Sequence, residues 1–334
     1  MIDIYETFVK LQAAARPSGF ERPCAQLIAQ LAAPYCDETR IDVMGNVICH
    51  KKGPGKRVMT AAHMDTIGLM ITHIDEKGFL RFNTLGGFAP YRLATARMKL
   101  ENGCRGVVFL EDKAADKKLG EIKIGDLYLD VGARSREEAE RMVSIGDVAV
   151  YEGEPLKLGD RIASPYCDDL IACAAQLSAM SQMEQSENDL YFVFTVQEET
   201  GLRGARTAAY GVDPEYGFCM DVTRTGDTAG ETVKMEVKLG GGPAIKIKDT
   251  SLLCNPQAVQ HLRRAAEEAG LAYQDEVLTA GGTDSAAMQQ TRAGVLAGCV
   301  SIPCRYIHSQ HEMISLKDAE DCARLLARAL QAAL

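Results

Sequence analysis

The chain is short of positive charge, of paired cysteines and of long apolar runs, and each shortage removes a class of function. Its 37 Lys and Arg residues face 46 Asp and Glu residues, for a formal charge of -9 and a pI near 5.3. A surface that tracks phosphates is therefore not expected, and nucleic acid is not expected as a partner. No stretch is long and apolar enough to span a bilayer. The opening residues, Met1-Ile2-Asp3-Ile4-Tyr5-Glu6, lack the basic region and apolar core of a secretion signal. The 11 cysteines are odd in number and include no Cys-x-x-Cys pair, and several, such as Cys173 and Cys299, sit inside apolar patterns. Reduced thiols in a cytoplasmic protein are the expectation. Cys167 and Cys219, close in sequence to the acids discussed below, read as packing thiols ahead of soft-metal ligands. No internal repeat or low-complexity tract is present.

What remains is a chain of 334 residues and 36.2 kDa, 46% hydrophobic, large enough to bury one sizeable core or two moderate ones. Residues 3–15 and 21–33 have helical apolar spacing, and short strands follow around Ile41, Val47 and Val58. After Asp65 the texture changes. Residues 68–75, a Glu76-Lys77-Gly78 turn and residues 79–85 read as a β-hairpin, with further short strands to about Leu158 and one helix opening at Ser135. From Ser164 long helices and buried strands alternate again: helix 170–183, strand 190–197, helix 203–210, strand 216–221, helix 256–269, a strand near 294–300 and a terminal helix after Ser315. The expected fold is α/β, a mixed-sheet catalytic domain with helices on both faces. It is formed by residues 1–66 and 164–334 and interrupted by a mostly β insertion at 67–163.

The chemistry concentrates where apolar strands end on acids and imidazoles. The strand in RVMTAAHMDTIG delivers His63 and Asp65 at its C-terminal end, with His63 a candidate metal ligand and Asp65 a carboxylate that orients its other ring nitrogen directly or through bound water; a structural hydrogen bond is the plainer alternative. YFVFTVQEETGLRGA runs into Glu198-Glu199, two adjacent acids that are costly to bury without a cation; a solvated helix N-terminus is the plainer alternative. FCMDVT ends on Asp221, either a ligand or a turn aspartate. Asp168-Asp169 precedes a helix that one of them could simply cap. RYIHSQHEM offers His308 and His311. His50 and His261 fall on polar patterns that read as exposed, and His73 lies in the hairpin of the insertion. Taken together, His63, Asp168, Glu199, Asp221 and His308 have the order and chemistry of a ligand set for two metal ions sharing a carboxylate. Glu198 is then available as the base that draws a proton from water.

Over nearly its whole length the sequence resembles the M42 family of metallo-aminopeptidases, the group of glutamyl and tetrahedral aminopeptidases. The features that carry the resemblance are AAHMDTIG, Asp168-Asp169, QEETGLRGA, MDVT, GGGP at 240–243, GGTDSAAM and RYIHS. The resemblance implies His63, Glu199, Asp221 and His308 as ligands, Asp168 as the bridge, Glu198 as general base and Asp65 as supporting carboxylate. It implies hydrolysis of N-terminal residues from short peptides with two divalent ions, zinc, cobalt or manganese. It also implies that the insertion serves oligomerisation, with a dodecamer as the expected homo-oligomer. A related dinuclear deacylase or carboxypeptidase, and a peptide-binding scaffold without turnover, are the competing readings. The sequence departs from the family at Leu170, where an arginine is common, and at Gln310 and His311, where proline and an aliphatic residue are usual. His311 could stand behind the ligands or replace one.

Overall fold

The computed structural model describes residues 2–230 and 234–334. The chain opens with α1 (Ile4–Ala13) and α2 (Arg22–Ala32), followed by β1 (Glu38–Ile41), β2 (Val47–Lys51) and β3 (Arg57–His63). A second unit then intervenes, made of β4 (Gly68–Ile74), β5 (Leu80–Leu85), the single turn α3 (Pro90–Leu93), β6 (Arg97–Leu100), β7 (Arg105–Leu110), β8 (Leu127–Asp130), α4 (Arg136–Glu140) and β9 (Val148–Tyr151). The first unit resumes with β10 (Leu156–Leu158), β11 (Arg161–Ser164), α5 (Cys167–Ser181), β12 (Asp189–Thr195), α6 (Arg203–Val212) and β13 (Tyr216–Arg224). It is completed by β14 (Ala244–Lys248), α7 (Pro256–Glu268), β15 (Gln274–Val277), α8 (Asp284–Gln289), β16 (Leu296–Arg305), β17 (Glu312–Ser315) and α9 (Leu316–Gln331).

Local chemistry explains several of these boundaries. The Asp3 carboxylate accepts from Glu6 N at 2.8 Å to start α1, and Asn255 accepts from Gln257 N at 2.8 Å to start α7, with Pro256 filling the first turn. Ile4, Phe8 and Leu11 recur at helical spacing and are the buried side of α1. Helix α5 is buried from Cys167 to Met180, and its alanines and cysteines let it sit between α1, α9 and the strands β3 and β13. Leu170 is fully buried in that packing, which is where an aliphatic residue belongs.

Among the described residues, eleven strands form one mixed sheet. At its centre β12, β3, β13 and β16 lie side by side and parallel. Buried on both sides, they read in sequence as near-continuous apolar runs. Helices α1, α5, α7 and α9 pack on one another and on the sheet, while α6 and α8 form a second pair; both groups touch β3, which places them on its two sides. Because the four central strands run the same way, His63, Thr195, Arg224 and Arg305 end them along one edge, where ligands gather in open α/β sheets.

The six intervening strands close into a barrel in the order β4-β5-β8-β7-β6-β9. Its first turn is built as the sequence suggests: the Asp75 carboxylate accepts from Lys77 N at 2.9 Å and Phe79 N at 3.0 Å, and Gly78 takes φ +88°. Three details differ from the sequence expectation. The short helix α3 accompanies α4 in this unit. Closure leaves no free barrel edge, so unpaired edges are not what this unit offers a partner. And β10 and β11, at 156–164, pair with the large sheet through β17, so the barrel strands end at Tyr151. Short strands separated by turn residues, Gly153, Pro155 and Gly159, continue from β9 into β11 much as they do within the barrel, so the sequence alone does not mark that change of sheet.

Candidate metal centre and cleft

Asp168 lies between two imidazoles. Its Oδ1 is 3.1 Å from His63 Nε2 and its Oδ2 is 3.2 Å from His308 Nε2, while Glu199 Oε1 approaches the same His308 nitrogen at 3.1 Å. Potential ligand atoms fall into two groups that share Asp168: His63, Asp168, Asp169 and Asp221, and Asp168, Glu199 and His308, with the atoms of each group within 4.8 Å of one another. Every expected ligand is therefore in one cluster. Asp169 joins it without having been singled out as a ligand from the sequence. His311 does not: it is exposed and lines a separate cleft with Thr95, Tyr306 and Gln310.

The plainer alternatives for these acids do not hold. Asp168 and Asp169 have non-helical backbone angles at the kinked start of α5, but the Asp168 oxygens face the two imidazoles and Asp169 Oδ1 bonds to no helix amide. The peptide between Asp168 and Asp169 is cis. Asp169 Oδ2 instead accepts from His63 N at 3.2 Å. Asp221 sits inside β13 and is buried, so it neither makes a turn nor caps a helix. Glu198 and Glu199 are partly exposed as residues on the cleft wall, but the Glu199 side chain is only 6% exposed and is turned to His308.

The backbone beneath this cluster is pinned by other carboxylates. Asp65 is buried; its Oδ1 accepts from Glu198 N at 2.9 Å, and its Oδ2 from Glu199 N at 3.2 Å and Ser18 Oγ at 2.6 Å. His63 Nδ1 faces the Asp65 carbonyl at 3.0 Å, with the carboxylate oxygen at 3.5 Å. Glu21 Oε1 accepts from Gln197 N at 3.1 Å. Glu312, which sequence reasoning passed over, accepts from Asp168 N and His308 N at 2.8 Å each. Its only sequence signal is a lone acid opening an otherwise apolar strand in RYIHSQHEM. Glycines make room on the outer side. A Cβ on Gly86 would lie 3.1 Å from Glu199 Oε2, and one on Gly87 would lie 3.2 Å from His308 Nδ1. Gly204 packs so closely on β12 that its Cβ would meet Val196 O at 2.4 Å, which accounts for the second glycine of GLRGA.

Two further motifs serve the frame. Asp318 accepts from Gly240 N at 2.7 Å and Gly242 N at 3.0 Å, which fixes the GGGP turn. In GGTDSAAM, Asp284 is buried, accepts from Thr195 Oγ1 and has its carboxyl pushed up to about 6 by burial. His50 and His261 are less exposed than their sequence patterns suggest. His261 is buried and meets the Ala329 carbonyl at 2.8 Å, and His50 stacks on Tyr191 and pairs with Asp189 at 2.7 Å. Cys167 and Cys219 are buried and belong to neither ligand group.

The cleft above the cluster holds about 620 Å3, within the usual range for a small-ligand site. Its floor is acidic and its wall carries Arg92, Arg224 and Arg305. Burial pushes the carboxyls of Glu198, Asp221 and Asp169 well above their usual range, and neighbouring acids add to it: Asp221 acts on Glu198 and Asp169, and Asp168 acts on Asp221. Asp168 differs: burial opposes its charge, yet His308 and His63 on its two oxygens hold its carboxyl below the usual range. Burial likewise opposes charge on His308, but Glu199 and Asp168 push it up to about 12. Protonated imidazoles thus supply positive charge that a divalent cation would supply instead, and a donor set of oxygen and imidazole nitrogen without thiolate suits such a cation.

A family model described as M42 glutamyl aminopeptidase matches residues 45–325. The chain belongs to the M42 family of metal-dependent aminopeptidases. It is 43% identical over 328 residues to a putative aminopeptidase of Acetivibrio thermocellus, a match covering 98% of each chain. Aminopeptidase APDkam598 of Desulfurococcus kamchatkensis has the same fold, with a TM-score of 0.94 at 38% identity over 99% of this chain and 95% of that one. The TET1 peptidase of Pyrococcus horikoshii, which can assemble into a tetrahedron or a large octahedral shell, superposes with a TM-score of 0.88 at 30% identity, covering 99% and 100% of the two chains. No helix of this M42 chain, among the described residues, is long and apolar enough to cross a membrane.

The raised acids give the M42 cluster a definite pH signature once chelated. Glu198, Asp221 and Asp169 hold protons more tightly folded than unfolded, so they stabilise the metal-free fold at low pH and that stability is lost as pH rises through their raised values. His63 and His308 do not offset this between pH 5 and 8, because both imidazoles are held above the usual range and stay charged there. Melting curves of chelator-treated protein from pH 5 to 8 should therefore show a falling Tm, with a flatter profile after a divalent ion is restored. A chelated Tm that climbs with pH would contradict this picture.

Proposed function

We propose that this chain is a dinuclear metallo-aminopeptidase that removes N-terminal residues from short peptides. The observation that carries the reading is the placement of Asp168, one oxygen toward His63 and the other toward His308, at the junction of the two ligand groups. His63 and Asp221 would hold one ion, Glu199 and His308 the other, and Asp168 would bridge them; zinc, cobalt and manganese all suit these donors. Bound there, the ions would supply the Lewis acidity that acidifies water and polarises the scissile carbonyl.

Glu198 is the proton carrier in this reading. It lines the cleft, stands outside both ligand groups, and has its backbone fixed by Asp65. Burial raises its carboxyl, and a raised carboxyl is a better base for water than an ordinary one. From that position Glu198 takes the proton of the attacking water and passes it to the departing amine. Asp65 sets where the base stands and which way the His63 ring faces, without touching substrate. The substrate's own free amine carries positive charge and is drawn to the acidic floor, which puts the first peptide bond over the cluster and leaves the rest of the peptide toward the arginine-bearing wall.

Paired assays with an unblocked peptide and its N-acetylated form test the exopeptidase reading. The unblocked peptide should be cleaved one residue at a time, and preference for the acetylated one would point to a deacylase instead. Glu198→Gln should lower kcat by about 100- to 10,000-fold while metal content per chain stays at the wild-type level. Near-normal turnover in metal-replete Glu198→Gln protein would remove the base from Glu198.

The TET1 likeness and the apolar side chains Phe109, Leu119 and Ile145, each about half-exposed or more on the barrel unit, support self-association through that unit, with a dodecamer as the proposed assembly. Light scattering over a range of concentrations should give a mass near twelve chains; a monomer at every concentration would count against it.

A further inference from the structure

Glu312 stands where two ligand-bearing segments meet. It opens β17, which lies in the sheet between β11 and β16. The first of these neighbours leads through Pro165 and Tyr166 to Asp168, and the second leads through the 306–311 loop to His308. The Glu312 side chain is only 1% exposed as a residue, and its two oxygens are divided: Oε2 accepts from Asp168 N and Oε1 from His308 N, both at 2.8 Å. Asp168 and His308 also meet through their own side chains at 3.2 Å. The result is a closed circuit, from the Glu312 carboxylate to one amide, out along that side chain, across to the other, and back through the second amide.

The loop needs such a fastening. Tyr306 and His308 have φ of +62° and +60°, a region that residues with a side chain seldom adopt without outside support. The bond from Glu312 to His308 N holds that turn from within, while Gly87 leaves just enough space for the imidazole from without. His63 meets the circuit only at Asp168 Oδ1, 3.1 Å from its Nε2. Its own amide is held by Asp169, and its ring by the Asp65 carbonyl.

We propose that Glu312 is a positioning residue for His308 and the shared Asp168, so that it governs the Glu199–His308 half of the centre, which depends on both, more strongly than the His63–Asp221 half, which depends on Asp168 alone. This rests on the two-ion reading above. The carboxylate is required because it can accept on both oxygens. A glutamine of the same shape turns an NH2 toward one of the two amides, which then loses its acceptor.

The test is a cobalt(II) titration of the full-length, metal-stripped protein followed by calorimetry and elemental analysis, with Glu312→Gln beside wild type. Two ions should bind per wild-type chain. In Glu312→Gln both sites should weaken because they share Asp168, but unequally: one by about 10- to 100-fold, the usual effect of losing a group that orients a ligand, and the other by a clearly smaller factor. Backbone hydrogen exchange in residues 306–312 should rise in the same variant. Two unchanged affinities, or two that fall by the same factor, would overturn the proposal. Should Glu312→Gln not fold, Glu312→Asp serves: it keeps the charge but reaches only one amide, and must show the same unequal loss. Fewer than two cobalt ions on wild type would sink the two-ion reading instead. In that event unchanged exchange at 306–312 in the variant would by itself sink the role of Glu312, and faster exchange would uphold it.

Discussion

Five carboxylates, Asp168, Asp169, Glu198, Glu199 and Asp221, crowd two imidazoles at one edge of a parallel sheet, and the rest of the site follows from that repulsion. Strand order imposes it. β12, β3, β13 and β16 all run one way, so residues at or beyond each C-terminal end arrive at a common place. Acids buried side by side raise one another's proton affinity unless cations intervene, and the two histidines can offset only part of the charge. Asp168 alone among these five is held below its usual range, because it alone has an imidazole on each oxygen.

A second set of acids works differently. Glu21, Asp65 and Glu312 accept from backbone amides at the base of the cluster, at Gln197, Glu198, Glu199, Asp168 and His308. Burial holds the Glu21 and Glu312 carboxyls above their usual range, so each of these hydrogen bonds contributes the ordinary amount of about 0.5–1.5 kcal/mol. That reserve has a local use. Of eight described non-glycine residues with positive φ, one is the candidate ligand His308 and four lie near the candidate ligands: Tyr166, Gln197, Leu202 and Tyr306. Each such conformation costs on the order of 1–3 kcal/mol and persists only where the surroundings over-determine it. Acids that hold the backbone thus let the acids that face the cleft keep geometries they would not choose.

This division of labour also separates what could be read from the sequence from what could not. Apolar strands ending on His63, Glu199 and Asp221 were legible, because a buried run followed by an acid is a local pattern and the parallel sheet makes strand ends meet. The alternation of helices and strands on either side of a β-rich insertion was legible for the same reason. Glu312 was not, since its importance lies in two amides 144 and 4 residues away, and no periodicity encodes a partner at that distance. His261 misled because α7 looks polar as a whole while the face carrying His261 packs on Phe218. The sheet change at Leu156 was hidden because a strand in a barrel and a strand in an open sheet share one repeat.

The barrel is not a detached appendage of the centre. Leaving β5, the chain passes Gly86 and Gly87 against Glu199 and His308; a side chain at Gly86 would clash with Ile67 and Glu199, and one at Gly87 would crowd the His308 ring. A few residues on, Arg92 donates to the Ile307 carbonyl at 3.0 Å while lining the cleft, and Gln310 donates back to the Glu152 carbonyl at 2.9 Å just past the last barrel strand. The loop that carries His308 is therefore held on one side by Glu312 of the sheet and on the other by the barrel unit. A side chain in place of Gly87 would press on the imidazole, so the barrel unit and the candidate ligands at the sheet edge belong to one mechanical unit.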